Sequence, residues 1–214
     1  MLGTENSDWR ADRRAAAAEA IVQAAWELAR ESGLAGLSLR DLARKLGMAA
    51  PSLYSYFDSK HAIYDAMYAD GWRAFIAFEP LTPVTDVREA IRRGMDRWVR
   101  FSLADPVRFQ LLSLRTIPGF EPSAASYAVA QQAYDESFHD VLLAPPVTQE
   151  HRDLITAVAS GLLNQQLANE PDGTRWIRLL EDAVDLIARW ITDAEAQAAT
   201  AAKPRRTRPR KDRT

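Results

Sequence analysis

The 214-residue sequence contains no cysteine at all. This absence excludes disulfide bonds, thiol catalysis and cysteine-ligated zinc, and it fits a cytoplasmic protein. No run of about 18 apolar residues occurs, so we expect no membrane-spanning helix. The N-terminus also lacks the apolar stretch of a secretion signal.

Histidine is scarce, and the motifs of common enzymes are missing. The three histidines are His61, His139 and His151, and their spacing matches no zinc motif of the HxxxH or HExxH kind. No phosphate-binding loop, dinucleotide-binding glycine motif or nucleophile elbow occurs. We therefore expect no cofactor, no metal site, no catalytic residue and no enzymatic activity.

The net charge of −2 hides a concentration of positive charge near the C-terminus. Residues 203–214 contain seven Lys or Arg and one Asp, a local charge of +6 that leaves −8 for the rest of the chain. A block of this kind predicts a disordered tail, which we place at residues 199–214. Its role is either sequence-independent attraction to DNA or simple solubilisation.

The segment from Leu39 to Phe57 predicts two short helices joined by a tight turn. Ser38 is a favourable N-cap for the first helix, and Gly47 follows that helix where the backbone must turn sharply. Pro51 suits the first turn of the second helix, because a missing N–H costs nothing there. Apolar residues at helical spacing supply the inward faces: Leu39, Leu42, Ala43, Leu46, Leu53 and Phe57. This pattern is typical of a helix-turn-helix.

The outward face of the second helix carries small and hydroxyl side chains, and no acid is among them. These residues are Ala50, Pro51, Ser52, Tyr54, Ser55 and Tyr56. Such groups can approach a major groove and its phosphates closely, which favours DNA binding. Basic residues that can neutralise phosphates stand nearby, at Arg40, Arg44, Lys45 and Lys60. The alternative is an ordinary helical hairpin on the protein surface.

The same segment resembles the N-terminal domain of the TetR family of bacterial transcriptional regulators. The resemblance covers about residues 13–65. It rests on the run GLAGLSLRDLARKLG from Gly33, on APSLYSYF from Ala50 and on the Ser59-Lys60 pair. It implies a dimer whose paired recognition helices enter successive major grooves of DNA. It also implies a C-terminal helical domain that binds an inducer or dimerises.

The resemblance further assigns DNA contacts to individual positions. Phosphate contacts fall on Ser38, Tyr54 and Lys60. Groove-facing positions are Arg40, Ala50, Pro51 and Ser52, with Ser55 beside them. Ala49 stands where the family commonly has a polar residue that touches DNA, so that hydrogen bond is missing. Tyr56 stands where histidine is common, and its hydroxyl can still donate to a phosphate.

Helical patterns continue along the rest of the chain, which predicts an all-α protein of about nine helices. We expect a disordered arm at residues 1–12, a helix-turn-helix domain at 13–60 and a helical ligand-binding and dimerisation domain at 61–198. The fourth helix should begin at Asp58 or Ser59 and link the two domains.

The first helix is predicted from Arg13 to Ser32, with Gly33 as its stop. Two interpretations stand for Arg10, Arg13 and Arg14 at its start. They contact a minor groove, as the arm of a homeodomain does, or they are simple helix-start charges. We favour the second interpretation.

Two helices near the C-terminus are the candidates for a dimer interface. The last helix, predicted from Thr174 to Ala198, carries apolar residues at alternating offsets of four and three, as in a coiled coil. The helix before it carries a matching stripe. The residues are Leu154, Val158, Leu162, Trp176, Leu180, Ala183, Ile187 and Trp190. Either both stripes face the chain's own core, or they pair in a homodimer, as the family resemblance favours.

Aromatic residues of the middle helices are the candidates for a ligand pocket, because TetR-like proteins form their pockets there. With one amide, they are Trp98, Phe101, Phe109, Phe120, Tyr127, Gln131 and Tyr134. Apolar walls with a few polar groups are typical of such sites. An aromatic stripe at helical spacing is, however, more often part of a plain core.

These patterns favour a homodimeric repressor of transcription that binds double-stranded DNA. We expect a palindromic operator and release by a small hydrophobic or amphipathic ligand. The alternative is an architectural or partner-binding DNA protein without a ligand. That alternative predicts a fully packed second domain and weak discrimination among DNA sequences.

Overall fold

The computed structural model describes residues 4–139 and 147–201, and the chain within these ranges is built from α-helices. The predicted all-α class is confirmed. The helices are α1 (Thr4–Gly36), α2 (Leu39–Lys45), α3 (Ala50–Leu53), α4 (Lys60–Ala77), α5 (Val87–Ala104), α6 (Pro106–Ser113), α7 (Ala124–His139), α8 (Gln149–Asn169) and α9 (Leu180–Ala201), with a 3-10 turn at Ile177–Leu179.

Two apolar cores divide the chain, and α4 takes part in the first of them and in the aromatic cluster beside the second. The first core surrounds the fully buried Trp26 of α1 and includes Leu53 of α3 and Met67 of α4. The second core joins α5, α8 and α9. The aromatic cluster includes Phe75 from the C-terminal half of α4. α4 is therefore the link that the sequence predicts.

α1 begins at Thr4, well before the expected start at Arg13, and residues 4–12 are helical rather than disordered. The four alanines at residues 15–18, which follow this segment, have a high helix propensity and favour extension of the helix toward the N-terminus. In addition, the Arg13 guanidinium lies 4.7 Å from the centre of the Trp9 ring, one turn earlier, which ties the first turns together. Gly33 breaks the helix as predicted, with φ 75° and ψ 162°, and a short further turn ends at Gly36.

The last helix starts at Leu180, so the predicted start at Thr174 is wrong. The side-chain oxygen of Gln166 accepts hydrogen bonds from the backbone N–H groups of Trp176 and Ile177, at 2.9 and 3.3 Å. Gln166 is fully buried. Its carboxamide therefore holds the segment before Leu180 in turns and a 3-10 turn instead of a regular α-helix, and the apolar pattern of the sequence does not reveal this contact.

The predicted basic tail lies almost entirely outside the described residues. α9 continues to Ala201, so residues 199–201 are helical rather than disordered. Residues 202–214 lie outside the described ranges, as do residues 1–3 of the expected arm. The other gap in the described ranges is at residues 140–146.

Candidate nucleic-acid interface

The first helix of the predicted helix-turn-helix forms as expected. The Ser38 hydroxyl accepts a hydrogen bond from the Asp41 backbone N–H at 3.4 Å and caps α2. Leu42 and Ala43 are buried against α1 and α3, at 0% and 2% exposure. Gly47 has φ 65°, a backbone conformation that glycine adopts without steric cost. These local features fix the angle at which the second helix leaves the turn.

The second helix is shorter than predicted, because regular α-structure ends at Leu53 rather than near Phe57. Pro51 occupies its first turn, and Leu53 is 1% exposed and anchors it to the first core. Beyond Leu53 the chain continues in tight turns, in which the Tyr56 and Phe57 N–H groups both donate to the Leu53 carbonyl at 2.9 Å. The side chains of this turn thus stay on the same surface as those of α3.

The predicted reading face is open to solvent. Its exposed members are Ala49, Pro51, Ser52, Tyr54 and Ser55, while Ala50 and Tyr56 are half-buried. Tyr54 is 55% exposed, a large fraction for an aromatic side chain. The Ser55 hydroxyl donates to the Ser52 carbonyl at 2.7 Å, so it must rotate before it can donate to DNA. This surface can enter a groove without bringing an acid near the phosphates.

Of the basic residues near this face, Arg40 has no ion-pair or hydrogen-bond partner within the described residues. Arg44 instead pairs with Asp41 at 2.6 Å. Lys45 lies 3.0 Å from Glu27 and 3.4 Å from a second α1 carboxylate, and the hydrogen bond with Glu27 raises the pKa of Lys45. Arg40 is therefore the predicted cation whose charge stays most available to DNA.

Lys60 and Ser38 have structural contacts of their own. The Lys60 ammonium lies 3.5 Å from the Ala35 carbonyl and 5.4 Å from the centre of the Tyr64 ring. Ser38, half-buried, already uses its hydroxyl oxygen as a helix cap. Both residues lie at helix starts beside the reading face, where a phosphate contact is compatible with these roles.

A further contact that the sequence did not predict joins α1 to the reading face. The Nη2 atom of Arg14 donates to the Ser55 backbone carbonyl at 2.8 Å. The two residues are 41 positions apart. No local pattern signals such a bond, because it depends on how the three helices pack. It fixes the far end of the reading segment to the first helix.

The two halves of the molecule meet at a polar junction. Arg30 of α1 donates two hydrogen bonds to one carboxylate oxygen of Asp105, at 3.0 and 2.7 Å. The other Asp105 oxygen accepts from the Arg108 backbone N–H at 3.1 Å and caps α6. The Trp26 indole N–H donates to Asp70 of α4 at 2.8 Å. Both α4 and α6 are thereby bound to α1.

Side chains from the second domain hold both ends of α4. The nearly buried Arg97 of α5 donates to the Phe75 and Phe78 carbonyls, at 2.6 and 2.7 Å, and caps the C-terminal end of α4. Nearer its start, the Asp65 carboxylate accepts from the Ser123 N–H at 2.7 Å and from the Ser126 hydroxyl at 2.9 Å. Asp65 thus fastens the beginning of α7 to α4.

A cavity of about 280 Å³ lies between α4, α5, α6, α7 and α8. Trp72 and Trp98 stack on its wall with ring centres 5.7 Å apart and an angle of 10° between the planes. The remaining walls are mostly apolar, and among residues 4–139 and 147–201 no charged side chain lines the space. Hydroxyl groups come from Ser113, Tyr134 and Thr156, among others.

Of the seven predicted pocket residues, Trp98 and Tyr134 line this cavity. Phe101 and Phe109 are 4% and 1% exposed and belong to the packed interior, which corrects their assignment. Phe120 and Tyr127 border a separate, more polar depression of about 300 Å³ next to Tyr68. Gln131 is exposed and lines neither space.

The apolar face that α8 and α9 leave open differs from the predicted stripe. Leu180 and Ile187 are 7% and 4% exposed and pack in the second core, so their assignment to an interface is corrected. Leu186, which the sequence analysis did not select, is 63% exposed. Leu154, Leu179 and Trp190 are 38%, 37% and 37% exposed. The other predicted members are half-buried: Val158, Leu162, Trp176 and Ala183.

None of the helices in residues 4–139 and 147–201 has the length and apolar content needed to cross a bilayer. Within the same ranges, no three acidic or histidine side chains are arranged so that they could hold a metal ion.

The helices α2 and α3, the turn at Gly47 and the exposed, acid-free face form a helix-turn-helix, a motif typical of DNA-binding proteins. Residues 21–67 match the family described as bacterial regulatory proteins, tetR family. This part of the chain is therefore similar to the N-terminal domain of the TetR family of transcriptional regulators, the family that its sequence motifs resemble.

Individual relatives show how far the likeness extends. The class D tetracycline repressor protein of Escherichia coli is 45% identical over 49 residues, 23% of this chain and 22% of that protein. An HTH-type transcriptional repressor of Mycobacterium tuberculosis is 26% identical over 160 residues, 74% of this chain and 59% of that protein. The matches thus span about a fifth to three fifths of these relatives. The crystal structure of the TetR family regulator PfmR from Thermus thermophilus, 25% identical, superposes with a TM-score of 0.54 over 79% of this chain and 97% of that one.

Proposed function

We propose that the protein is a cytoplasmic, dimeric repressor that binds a palindromic operator and leaves it when a small ligand occupies the second domain. The observation that carries this proposal is the reading face of α3 and the turn after it. Its side chains are exposed, small or hydroxyl-bearing and free of acids, while the opposite side is buried. DNA recognition accounts for such a face, and no enzymatic role is proposed.

Pairing of two chains through α8 and α9 is the second part of the proposal. Leu186 and Trp190 on α9, with Leu154 on α8, leave a patch of apolar surface open to water. Large exposed apolar side chains that cluster on one face mark interaction sites. A two-fold axis through this face would present two reading faces to half-sites about 34 Å apart, one turn of B-DNA.

The cavity of the second domain is the proposed ligand site. Its volume of about 280 Å³ is close to the lower end of known ligand sites, so its chemistry supports the proposal more than its size does. Because no charged side chain of the described residues lines it, we propose an uncharged ligand with an apolar body. The stacked Trp72 and Trp98 suit a flat ring system, and the wall hydroxyls suit one or two polar substituents.

Two helices that wall the cavity also lead to the DNA-binding domain. Trp72 and Phe75 belong to α4, which begins beside the reading face, and Leu112 belongs to α6, whose first turn is bound to Arg30. Gly71 lets α4 and α6 approach closely, since a Cβ atom there would lie 2.9 Å from Leu112 Cδ2. A ligand that displaces either helix would change the position of α1 and the reading face.

The test of the proposed function is the selection of bound sequences from a random pool of DNA duplexes at two salt concentrations. A palindromic consensus with half-sites about one helical turn apart is the expected result. A flat preference with steep salt dependence would contradict operator recognition and favour the architectural alternative. The selected duplex then serves as the probe for a screen of uncharged ligands.

A further inference from the structure

The first turns of α1 carry opposite charges on opposite sides. Successive residues of an α-helix are rotated by about 100°, so Arg10, Arg13 and Arg14 fall on one side of the helix. The acids Asp12 and Glu19 fall on the other side. A helix in which charges only serve solubility has no need for this separation. The segregation indicates that the arginine side faces a negatively charged surface.

The arginine side continues the face that α1 buries in its own domain. Farther along the helix the same side carries Ile21 and Ala25, both fully buried in the first core. In contrast, every side chain from Trp9 to Ala16 is exposed, so the helix runs past the edge of its domain. At that edge the inward face changes from apolar residues to arginines. A surface that docks against this edge of the domain would therefore contact these arginines.

Arg14 shows where this face lies relative to the reading segment. Its bond to the Ser55 carbonyl places the arginine side of α1 at the end of the surface that we assign to DNA. Arg10 lies one turn farther along α1, about 6 Å beyond Arg14 and outward from the domain. Arg13 is held over the Trp9 ring and remains exposed.

We propose that Arg10 and Arg13 bind the phosphate backbone of DNA just outside the half-site that α3 occupies. The inference rests on the proposed operator binding. Charge complementarity identifies the occupant, since duplex DNA carries one negative charge per about 1.7 Å of axis and guanidinium groups match phosphates well. Within the described residues, Arg10 has no ion-pair or hydrogen-bond partner that would use its charge otherwise. The acidic side of the helix faces away from the DNA.

The test compares two charge-neutralising double variants of the full chain. Arg10→Gln with Arg13→Gln removes the proposed contacts and keeps good helix formers. Asp12→Asn with Glu19→Gln is the matched control, because it neutralises two charges on the opposite side of the same helix, the first of them between Arg10 and Arg13 and the second farther along. Operator affinity is measured by fluorescence anisotropy over a range of salt concentrations, on duplexes with and without about ten flanking base pairs.

The arginine variant is expected to lose about tenfold in affinity on the flanked duplex at low salt. A plot of log affinity against log salt concentration should become less steep, by about 1 unit of slope for each arginine removed from the protein–DNA complex. The stretch of DNA that the protein protects from hydroxyl-radical cleavage should become shorter, and only at the flanks. On the trimmed duplex, wild type and variant should bind alike. The acid-side control should keep the wild-type slope and footprint.

Three outcomes would overturn the inference. In the first, wild type binds the operator and the arginine variant keeps the full salt slope and footprint. In the second, the two double variants change affinity by equal factors in opposite directions, as net charge alone requires. In the third, the loss occurs on A-tract flanks and not on mixed-sequence flanks, which assigns the arginines to the minor groove instead. If wild type selects no operator at all, the proposed function itself fails. Circular dichroism of both variants tests whether unfolding is the cause of any loss of affinity.

Discussion

The Nη2 atom of Arg30 lies 2.7 Å from Oδ2 of Asp105, and this ion pair joins the helix-turn-helix domain to the first turn of α6. The Asp105 side chain is 9% exposed, whereas that of Arg30 is 42% exposed. The pair therefore has one well-shielded partner and one that reaches in from the surface. Since α6 also walls the cavity, the pair is a direct connection between the proposed ligand site and α1.

Removal of this connection should weaken the response to ligand more than it weakens DNA binding. Arg30→Gln is expected to keep operator affinity within about threefold and to lower stability by no more than about 1 kcal/mol, because the arginine is partly solvated. Ligand-induced release, measured by anisotropy, should need several-fold more ligand. Arg115→Gln, which breaks an exposed pair with Glu121, is the control. Equal release in Arg30→Gln and wild type would show that α6 does not transmit the signal.

The exposed hydroxyl of Tyr54 should contribute affinity without sequence preference. Tyr54→Phe removes the proposed hydrogen bond to a phosphate, and we expect an affinity loss of about tenfold on every duplex tested. Ser52→Ala should instead change the order of preference among duplexes that differ in the half-site. Binding to a panel of single-base operator variants distinguishes the two effects. A change of preference alone in Tyr54→Phe would refute its assignment to phosphate.

The open face of α9 should control the oligomeric state. Leu186 is 63% exposed, and Leu186→Glu places a charge in the proposed interface. We expect the dissociation constant of the dimer to rise about 30-fold or more, with little change in helix content. Analytical ultracentrifugation measures this shift. Tyr127→Glu, at a 53% exposed position on α7, is the control and should leave the dimer intact.

The cavity should accept one added side chain without unfolding of the domain. Nothing lies within 4 Å of a Cβ atom built on Gly94, which lines the cavity. Gly94→Leu is expected to fill the space and abolish binding of a neutral fluorescent probe, N-phenyl-1-naphthylamine. Gly94→Ala should raise stability by up to about 1 kcal/mol and retain part of the binding. Full probe binding by the folded leucine variant would place the ligand site elsewhere.

The start of α5 should make a pH-dependent contribution to stability. The hydrogen bond from Arg92, with help from Arg93, lowers the pKa of Glu89 from 4.5 to about 2. The carboxylate is thus favoured in the folded state, and its stabilising effect is complete above about pH 4.5 and is lost as the pH falls toward 2. Glu89→Gln should lower the melting temperature slightly at pH 7. The difference from wild type should shrink between pH 4.5 and pH 3, as measured by thermal scans. A difference that stays constant over this interval would contradict the assignment.

Features that depend on neighbours along the chain could be predicted from the sequence. Ser38 caps α2 and Gly47 turns the chain because each acts within a few residues of its own position. The exposed reading face could be predicted from the same local pattern. Bonds that join distant segments carry no such pattern, and Arg14 with Ser55 is an example.

The side of a helix that faces the core is harder to predict when apolar residues cover most of its circumference. On α9 both Ile187 and its neighbour Leu186 are apolar, yet one is 4% and the other 63% exposed. The packing of α5 against α9 decides between them, and that packing is a property of the tertiary structure. The same reason separates Trp98, which lines the cavity, from Phe101, which is buried beside it.

The hydrogen bonds of Asp65 to Ser123 and Ser126 determine how α4 can move. A slide of α4 along its axis would break the cap of α7, whereas a tilt about Asp65 preserves it. Asp65 then acts as a fulcrum that lies about 7.5 Å from the start of α4 and about 18 Å from its end. The longer arm reaches the cavity, and the shorter arm ends at Lys60 beside the reading face. If a ligand occupies the proposed site and tilts α4 about Asp65, α4 would act as a lever that converts a wide displacement beside the cavity into a smaller one at its start, beside the reading face.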